Sequence, residues 1–255
     1  MTDRFSKNPL ALAALALVAA LIGAGAFWLF QRAVPGALAD TDRARVGRVV
    51  HEYILDHPEI LLEAQQRLQE RQVAAQQSEA LKVVAANKRA ILEPIGSAWA
   101  GNPQGDVTVV EYFDYNCGYC RASLPTIDAL IAGDPKVKVV FREWPILSDE
   151  SIAAARVSLA AADQGKFKTF HDALYKAGPV TGETISAAAK AAGIDMARAN
   201  AFAPQAQAEI ASNMDLARKM GLSGTPSWVI GDRVVSTALP LEELQKAVAA
   251  ARAKL

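Results

Sequence analysis

Cys117 and Cys120 close the run Asp114-Tyr-Asn-Cys-Gly-Tyr-Cys120, and they are the only cysteines in the chain. A pair at this spacing supports two kinds of chemistry. It can cycle between dithiol and disulfide, or it can supply two ligands to a metal ion. In disulfide exchange the thiolate is the nucleophile, and a free cysteine of pKa about 8.5 is mostly protonated at neutral pH. The two intervening residues let Cys120 reach back and resolve a mixed disulfide formed at Cys117. A structural zinc site takes four ligands as a rule. His51 and His57 precede the cysteines, the reverse of the usual zinc-finger order, and His171 stands alone. A purely structural disulfide across so short a loop removes little chain entropy. Redox use is the preferred reading, with no metal and no cofactor expected.

That use needs elements that stabilise a thiolate. Val107–Phe113 is β-branched and aromatic, nearly continuous in apolar character, and reads as a buried central strand. Asp114-Tyr115-Asn116 makes a turn. Arg121–Ala132 then carries Leu124, Ile127, Leu130 and Ile131 at helical spacing, with Pro125 expected to kink the helix rather than abolish it. Cys117 therefore falls at a helix N-terminus, directly after a strand. Unpaired N–H groups and the helix dipole favour negative charge there. Glu111 is an acid inside the apolar strand. It reads either as a solvent-facing residue or as a partly buried carboxylate that moves the proton of Cys120.

The remaining pattern is α/β. Lys136–Phe141 alternates as a second strand, and Trp144-Pro145 ends it. Ser148–Gly193 is Ala-rich and helical, broken near Gly165 and at Gly178-Pro179. Phe170, His171, Leu174 and Tyr175 form one packed helix face, with His171 a core or capping histidine. A helix is expected over Gln205–Met220. Ser227–Ile230 and Arg233–Ser236 pair as a hairpin through Gly231-Asp232, and Leu241–Ala251 is a final helix. Ile95–Gly105, with Gly96, Gly101, Pro103 and Gly105, reads largely as a loop.

Three runs carry a family resemblance. Val109-Val-Glu-Tyr-Phe-Asp-Tyr-Asn-Cys-Gly-Tyr-Cys120, Phe141-Arg-Glu-Trp-Pro-Ile146 and Gly224-Thr-Pro-Ser-Trp-Val229 resemble the DsbA-type branch of the thioredoxin superfamily. The resemblance implies a thioredoxin fold over residues 95–255 with a helical insertion at about 148–203. It implies that Thr225–Pro226 is a cis peptide facing the active-site disulfide, in a loop that presents backbone to an extended substrate. It implies that Gly118 and Tyr119 tune the redox site. Gly118-Tyr119 stands where the enterobacterial oxidase has Pro-His, and Thr225 where that oxidase has Val, so oxidase and isomerase both stay open. The partners implied are exported proteins bearing thiols or disulfides, and a membrane redox partner of DsbB or DsbD type.

The N-terminal third addresses the chain to a membrane. Leu10–Phe30 carries no charge, and at about 1.5 Å per helical residue it spans the roughly 30 Å hydrocarbon core. Residues 1–32 are thus an uncleaved anchor or a signal segment. Ala37-Leu38-Ala39 resembles a cleavage site, but the apolar run exceeds the usual signal core of about 7–15 residues. The bulk of the chain is placed in the periplasm, tethered through residues 10–30 or released by cleavage. Residues 33–94 read as a helical neck. Val46, Val49, Val50, Tyr53 and Ile54 share one apolar face, and Pro58 fits the first turn of a second helix. The neck is either a solvated spacer or a self-association segment, making a homo-oligomer through residues 43–92. Tyr53-Ile-Leu-Asp-His-Pro-Glu-Ile-Leu-Leu62 resembles the N-terminal segment of ScsC-like proteins, some of which trimerise and act as isomerases. Twenty-seven basic and twenty-seven acidic residues balance, which gives no footing for a nucleic-acid partner. A competing class is an adaptor that binds unfolded chains through a thioredoxin-like surface without redox turnover; the intact cysteine pair and Glu111 weigh against it.

Overall fold

The computed structural model describes residues 9–33 and 40–255. The first eight residues of the expected anchor or signal segment and the Ala37-Leu38-Ala39 site lie outside the described residues. The chain divides into two compact units, Met1–Gln69 and Glu70–Leu255.

The first unit is helical. Helix α1 (Pro9–Ala33) contains Ala13–Phe30, long and apolar enough to cross a membrane, with none of that stretch buried. Helix α2 (Asp40–Asp56) exposes Val46, Val49, Val50 and Tyr53, each about half accessible. His57 and Pro58 separate it from α3 (Glu59–Ala86), because proline cannot donate the hydrogen bond that would continue α2. The Tyr53 and His57 rings lie 4.6 Å apart across this break.

The second unit opens with the C-terminal part of α3 and α4 (Lys88–Leu92). There follow β1 (Trp99–Gly101), β2 (Val107–Phe113), α5 (Gly118–Gly133) and β3 (Val137–Glu143). Four helices come next: α6 (Asp149–Asp163), α7 (Phe167–Ala177), α8 (Gly182–Ala191) and α9 (Met196–Lys219). The chain ends with β4 (Ser227–Ile230), β5 (Arg233–Val235) and α10 (Leu241–Arg252). The sheet order is β1-β3-β2-β4-β5. β2 and β3 are parallel; the other pairs are antiparallel.

Strand alternation sends Val109 and Phe113 to one face of the sheet and Val110 and Tyr112 to the other. Both faces are covered, which is why β2 reads as an unbroken apolar run. Val109 and Phe113 pack with Ile127 and Leu130 of α5 and Leu244 and Val248 of α10. Val110 and Tyr112 pack with Ala80 and Val84 of α3 and Leu216 and Met220 of α9. Each such buried side chain is worth about 1.5–3 kcal/mol.

Two local expectations need correction. Ile95–Gly105 is not wholly a loop: Trp99–Gly101 forms the edge strand β1, with Trp99 opposite Val140. So short a strand is specified by its distant partner, not by its own sequence. The helix expected at Gln205–Met220 begins at Met196 and runs through Pro204. It is held there by Ala206 and Ile210, which bury against Ala155 and Leu159 of α6. The breaks at Gly165 and Gly178 fall where expected, with φ of 72° and 98° that favour glycine.

Candidate active site

Cys117 is the N-cap of α5. Its Sγ accepts from the Cys120 N–H at 3.4 Å, and its own thiol donates to the Thr225 carbonyl at 3.1 Å. The residue is 6% exposed, while Gly118 and Tyr119 after it are open to solvent, Tyr119 at 72%. Both cysteines are in the dithiol state. The Cys117 thiol is drawn down to about 5. The largest cause is the hydrogen bond from the Cys120 side chain. Burial opposes it, and the Thr225 side chain and the backbone N–H groups of Cys120 and Tyr119 add to it. Ionisation forfeits the bond to the Thr225 carbonyl, but the donors outweigh that loss.

Cys120 sits one turn into α5 and is buried. Burial, then the hydrogen bond to Cys117, then the Glu111 charge all push its thiol far up. The pair is therefore split into a ready thiolate and a thiol that keeps its proton.

Glu111 shares the face of β2 that packs on α5, because it alternates with Val109 and Phe113. It is 1% exposed, so the solvent-facing reading does not hold. Its Oε1 has no hydrogen-bond partner, and burial, followed by the Cys117 charge, raises its carboxyl well above the usual range. A carboxyl held so binds its proton more tightly than an ordinary glutamate, so once ionised it is a stronger base. Across the site, Thr225–Pro226 is cis and brings the Thr225 carbonyl to Cys117.

Asp114 and Arg121, to which sequence reasoning gave no role, complete the site, together with two members of the expected helix face, His171 and Tyr175. The Asp114 carbonyl accepts from the Cys117 N–H and from the Tyr175 hydroxyl, each at 3.0 Å. Arg121 donates to the Gly178 carbonyl at 2.6 Å, with its guanidinium 6.0 Å from the Tyr175 ring centre. His171 is fully buried in an aromatic cluster, and its Nδ1 lies 3.1 Å from the Tyr115 hydroxyl. Burial, with the Lys168 charge, holds its imidazole down to about 3, so it is a neutral core histidine. The sequence signal for Asp114 was faint: an acid in a turn is ordinary until its partners arrive from downstream.

The chain and its fold have relatives. A family model described as Thioredoxin matches residues 93–250, and one described as Copper resistance protein ScsC N-terminal domain matches residues 42–75. A thioredoxin-like oxidoreductase from Silicibacter pomeroyi DSS-3 is 42% identical, covering 66% of this chain and 98% of that one, with a TM-score of 0.62. The thiol-disulfide exchange protein alpha-DsbA2 from Wolbachia pipientis is 32% identical over 69% of this chain and 97% of its own, with a TM-score of 0.61. ScsC of Proteus mirabilis, in a compact conformation, is 26% identical over 83% of this chain and 98% of its own, with a TM-score of 0.62. Among curated proteins, Na(+)/H(+) antiporter NhaA 1 of Salinispora arenicola is 30% identical over 156 residues. That match covers 59% of this chain and spans only 24% of the antiporter's length, so the antiporter name describes a much longer protein. With its cysteine pair capping α5 against a cis-proline loop and the thioredoxin match across more than half its length, the chain belongs to the thioredoxin family, in the DsbA/ScsC-like branch.

Proposed function

We propose that this chain is a periplasmic thiol–disulfide oxidoreductase that exchanges disulfides with exported proteins through Cys117 and Cys120. The observation that carries the reading is the split pair: a Cys117 thiol drawn down to about 5 above a buried, proton-retaining Cys120. Cys117 Sγ attacks one sulfur of a substrate disulfide. The new Sγ–S bond forms as the substrate S–S bond breaks, and the second sulfur leaves as a thiolate. In its ionised form Glu111 then takes the Cys120 proton, and Cys120 attacks Cys117 Sγ. That step closes the Cys117–Cys120 disulfide and frees the second substrate thiol. Run in reverse, the same steps oxidise a substrate dithiol. The Thr225-Pro226 loop lays its backbone along the substrate chain, and Gly118 and Tyr119 set the exposed mouth of the site. A membrane partner of DsbB or DsbD type restores the working redox state.

The apolar stretch Ala13–Phe30 of α1 supports tethering to the membrane through residues 10–30 or targeting by a cleaved signal. The ScsC-type match over residues 42–75 supports a self-associating neck, and with it an isomerase. The deciding assay uses the detergent-solubilised full chain on a scrambled-disulfide substrate and, in parallel, on a reduced one. Unscrambling makes it an isomerase; rapid oxidation without unscrambling makes it an oxidase. If wild-type protein and Cys117→Ala behave alike in both assays, the redox reading fails.

A further inference from the structure

Building on that exchange chemistry, we propose that Asp114 is a positioning residue that fixes Ile146 and Leu147 beside the Cys117 turn and so governs capture of the substrate chain. The Asp114 side chain is buried, 1% exposed, and both oxygens are engaged twice. Oδ1 accepts from the Asn116 N–H at 2.8 Å and the Ser151 hydroxyl at 2.6 Å. Oδ2 accepts from the Ile146 N–H at 2.8 Å and the Leu147 N–H at 2.9 Å. Its backbone carbonyl holds the Cys117 N–H and the Tyr175 hydroxyl. Asn116 strengthens the same tie, with Nδ2 donating to the Ser148 hydroxyl at 2.8 Å and the Ser151 hydroxyl at 3.1 Å. One carboxylate thus joins the catalytic turn to the β3–α6 loop and to α6.

What this staple holds toward solvent is apolar. Ile146 and Leu147 turn their N–H groups inward to Asp114, yet as residues remain 41% and 52% exposed. Each lies two hydrogen bonds, through Asp114, from the residue that precedes the nucleophile. Tyr119, two residues after Cys117, adds a third large exposed side chain to this end of α5. The occupant these features fit is the substrate polypeptide itself, with a large apolar side chain near its reacting sulfur. A small disulfide meets only Cys117; a polypeptide disulfide also meets the shelf.

The carboxylate is specifically required. An amide of the same shape accepts through one oxygen only, and its NH2 group faces donors. Asp114→Asn therefore releases either the Asn116 and Ser151 pair or the Ile146 and Leu147 pair, and the shelf parts from the turn.

The test compares two second-order rate constants of the reduced full chain in detergent. One is for hydroxyethyl disulfide. The other is for a disulfide-linked peptide whose cysteines are flanked by leucine and phenylalanine. Asp114→Asn is expected to lower the peptide-to-small-disulfide ratio about tenfold, the worth of a net hydrogen bond or two. The double variant Ile146→Ser/Leu147→Ser alters only half-exposed side chains and should lower the ratio likewise, so the assignment stands or falls even if Asp114→Asn unfolds. A ratio unchanged in the double variant, or rates that fall equally for both reagents, overturns it. A wild-type chain inert to both disulfides refutes the exchange reading itself, a distinct outcome.

Discussion

Cys117 is held down by groups on its own turn and by Thr225 across the site, and this fixes a pH profile. The folded chain releases the Cys117 proton near 5, whereas its ordinary value is 9.0. Between those values the unfolded state holds more protons, so the reduced form gains stability as pH rises across this window and loses it as pH falls through about 5. Glu111 acts in the opposite sense: the folded state keeps a proton that the unfolded carboxyl gives up above its ordinary 4.5. The rate of Cys117 with a small disulfide should follow thiolate content. It should be flat at neutral pH and fall with a midpoint near 5, where an ordinary thiol keeps gaining up to about 8.5. Ultraviolet thiolate absorbance should titrate with the same midpoint, and a midpoint near 8 would contradict the assigned donors. Glu111→Gln should leave that midpoint in the acid range but slow resolution of the mixed disulfide on the order of 10²-fold, the usual worth of a general base. Acid-quenched samples would show the mixed disulfide accumulating; unchanged resolution would remove Glu111 from the chemistry.

Elements differ in how much of their placement is local. β2 and the cysteine helix were legible because alternation, helical spacing and N-capping are all written within a few residues. The burial of Glu111 was not, since a strand acid does not reveal which face another helix will cover. The cis Thr225–Pro226 loop was legible only through resemblance. Arg142 shows the same limit more sharply. It lies on β3, 2% exposed, and donates to the Ile91 carbonyl at 3.1 Å, to the Glu93 carbonyl and to Glu209 of α9 at 2.7 Å. Nothing within its own strand announces that it ends α4 and ties α9. Arg142→Met should strip those acceptors and destabilise the domain by about 3 kcal/mol, the usual cost of breaking a buried pair from one side. Chemical denaturation of the full chain would measure this, and a change under about 1 kcal/mol would mean that water replaces the guanidinium without penalty.

At the scale of the whole molecule, the question is whether the chemistry works singly or in copies. Val46, Val49, Val50 and Tyr53 form one half-exposed apolar stripe on α2, and Leu61 and Leu68 continue the exposed apolar positions along α3. A stripe this long on polar helices gains most by covering itself with other copies. The detergent-solubilised chain should therefore sediment as an oligomer, and Val49→Asp with Tyr53→Asp should shift it to the monomer. A disulfide isomerase gains from several copies because one site can hold a mixed disulfide while another engages the same misfolded chain at high effective concentration. The monomeric variant should then lose unscrambling while keeping its rate with a small disulfide, since Cys117, Cys120 and Glu111 lie in the other compact unit. If wild-type protein sediments as a monomer, the stripe is a spacer face, and oxidation at a fixed height above the membrane becomes the better account of the neck.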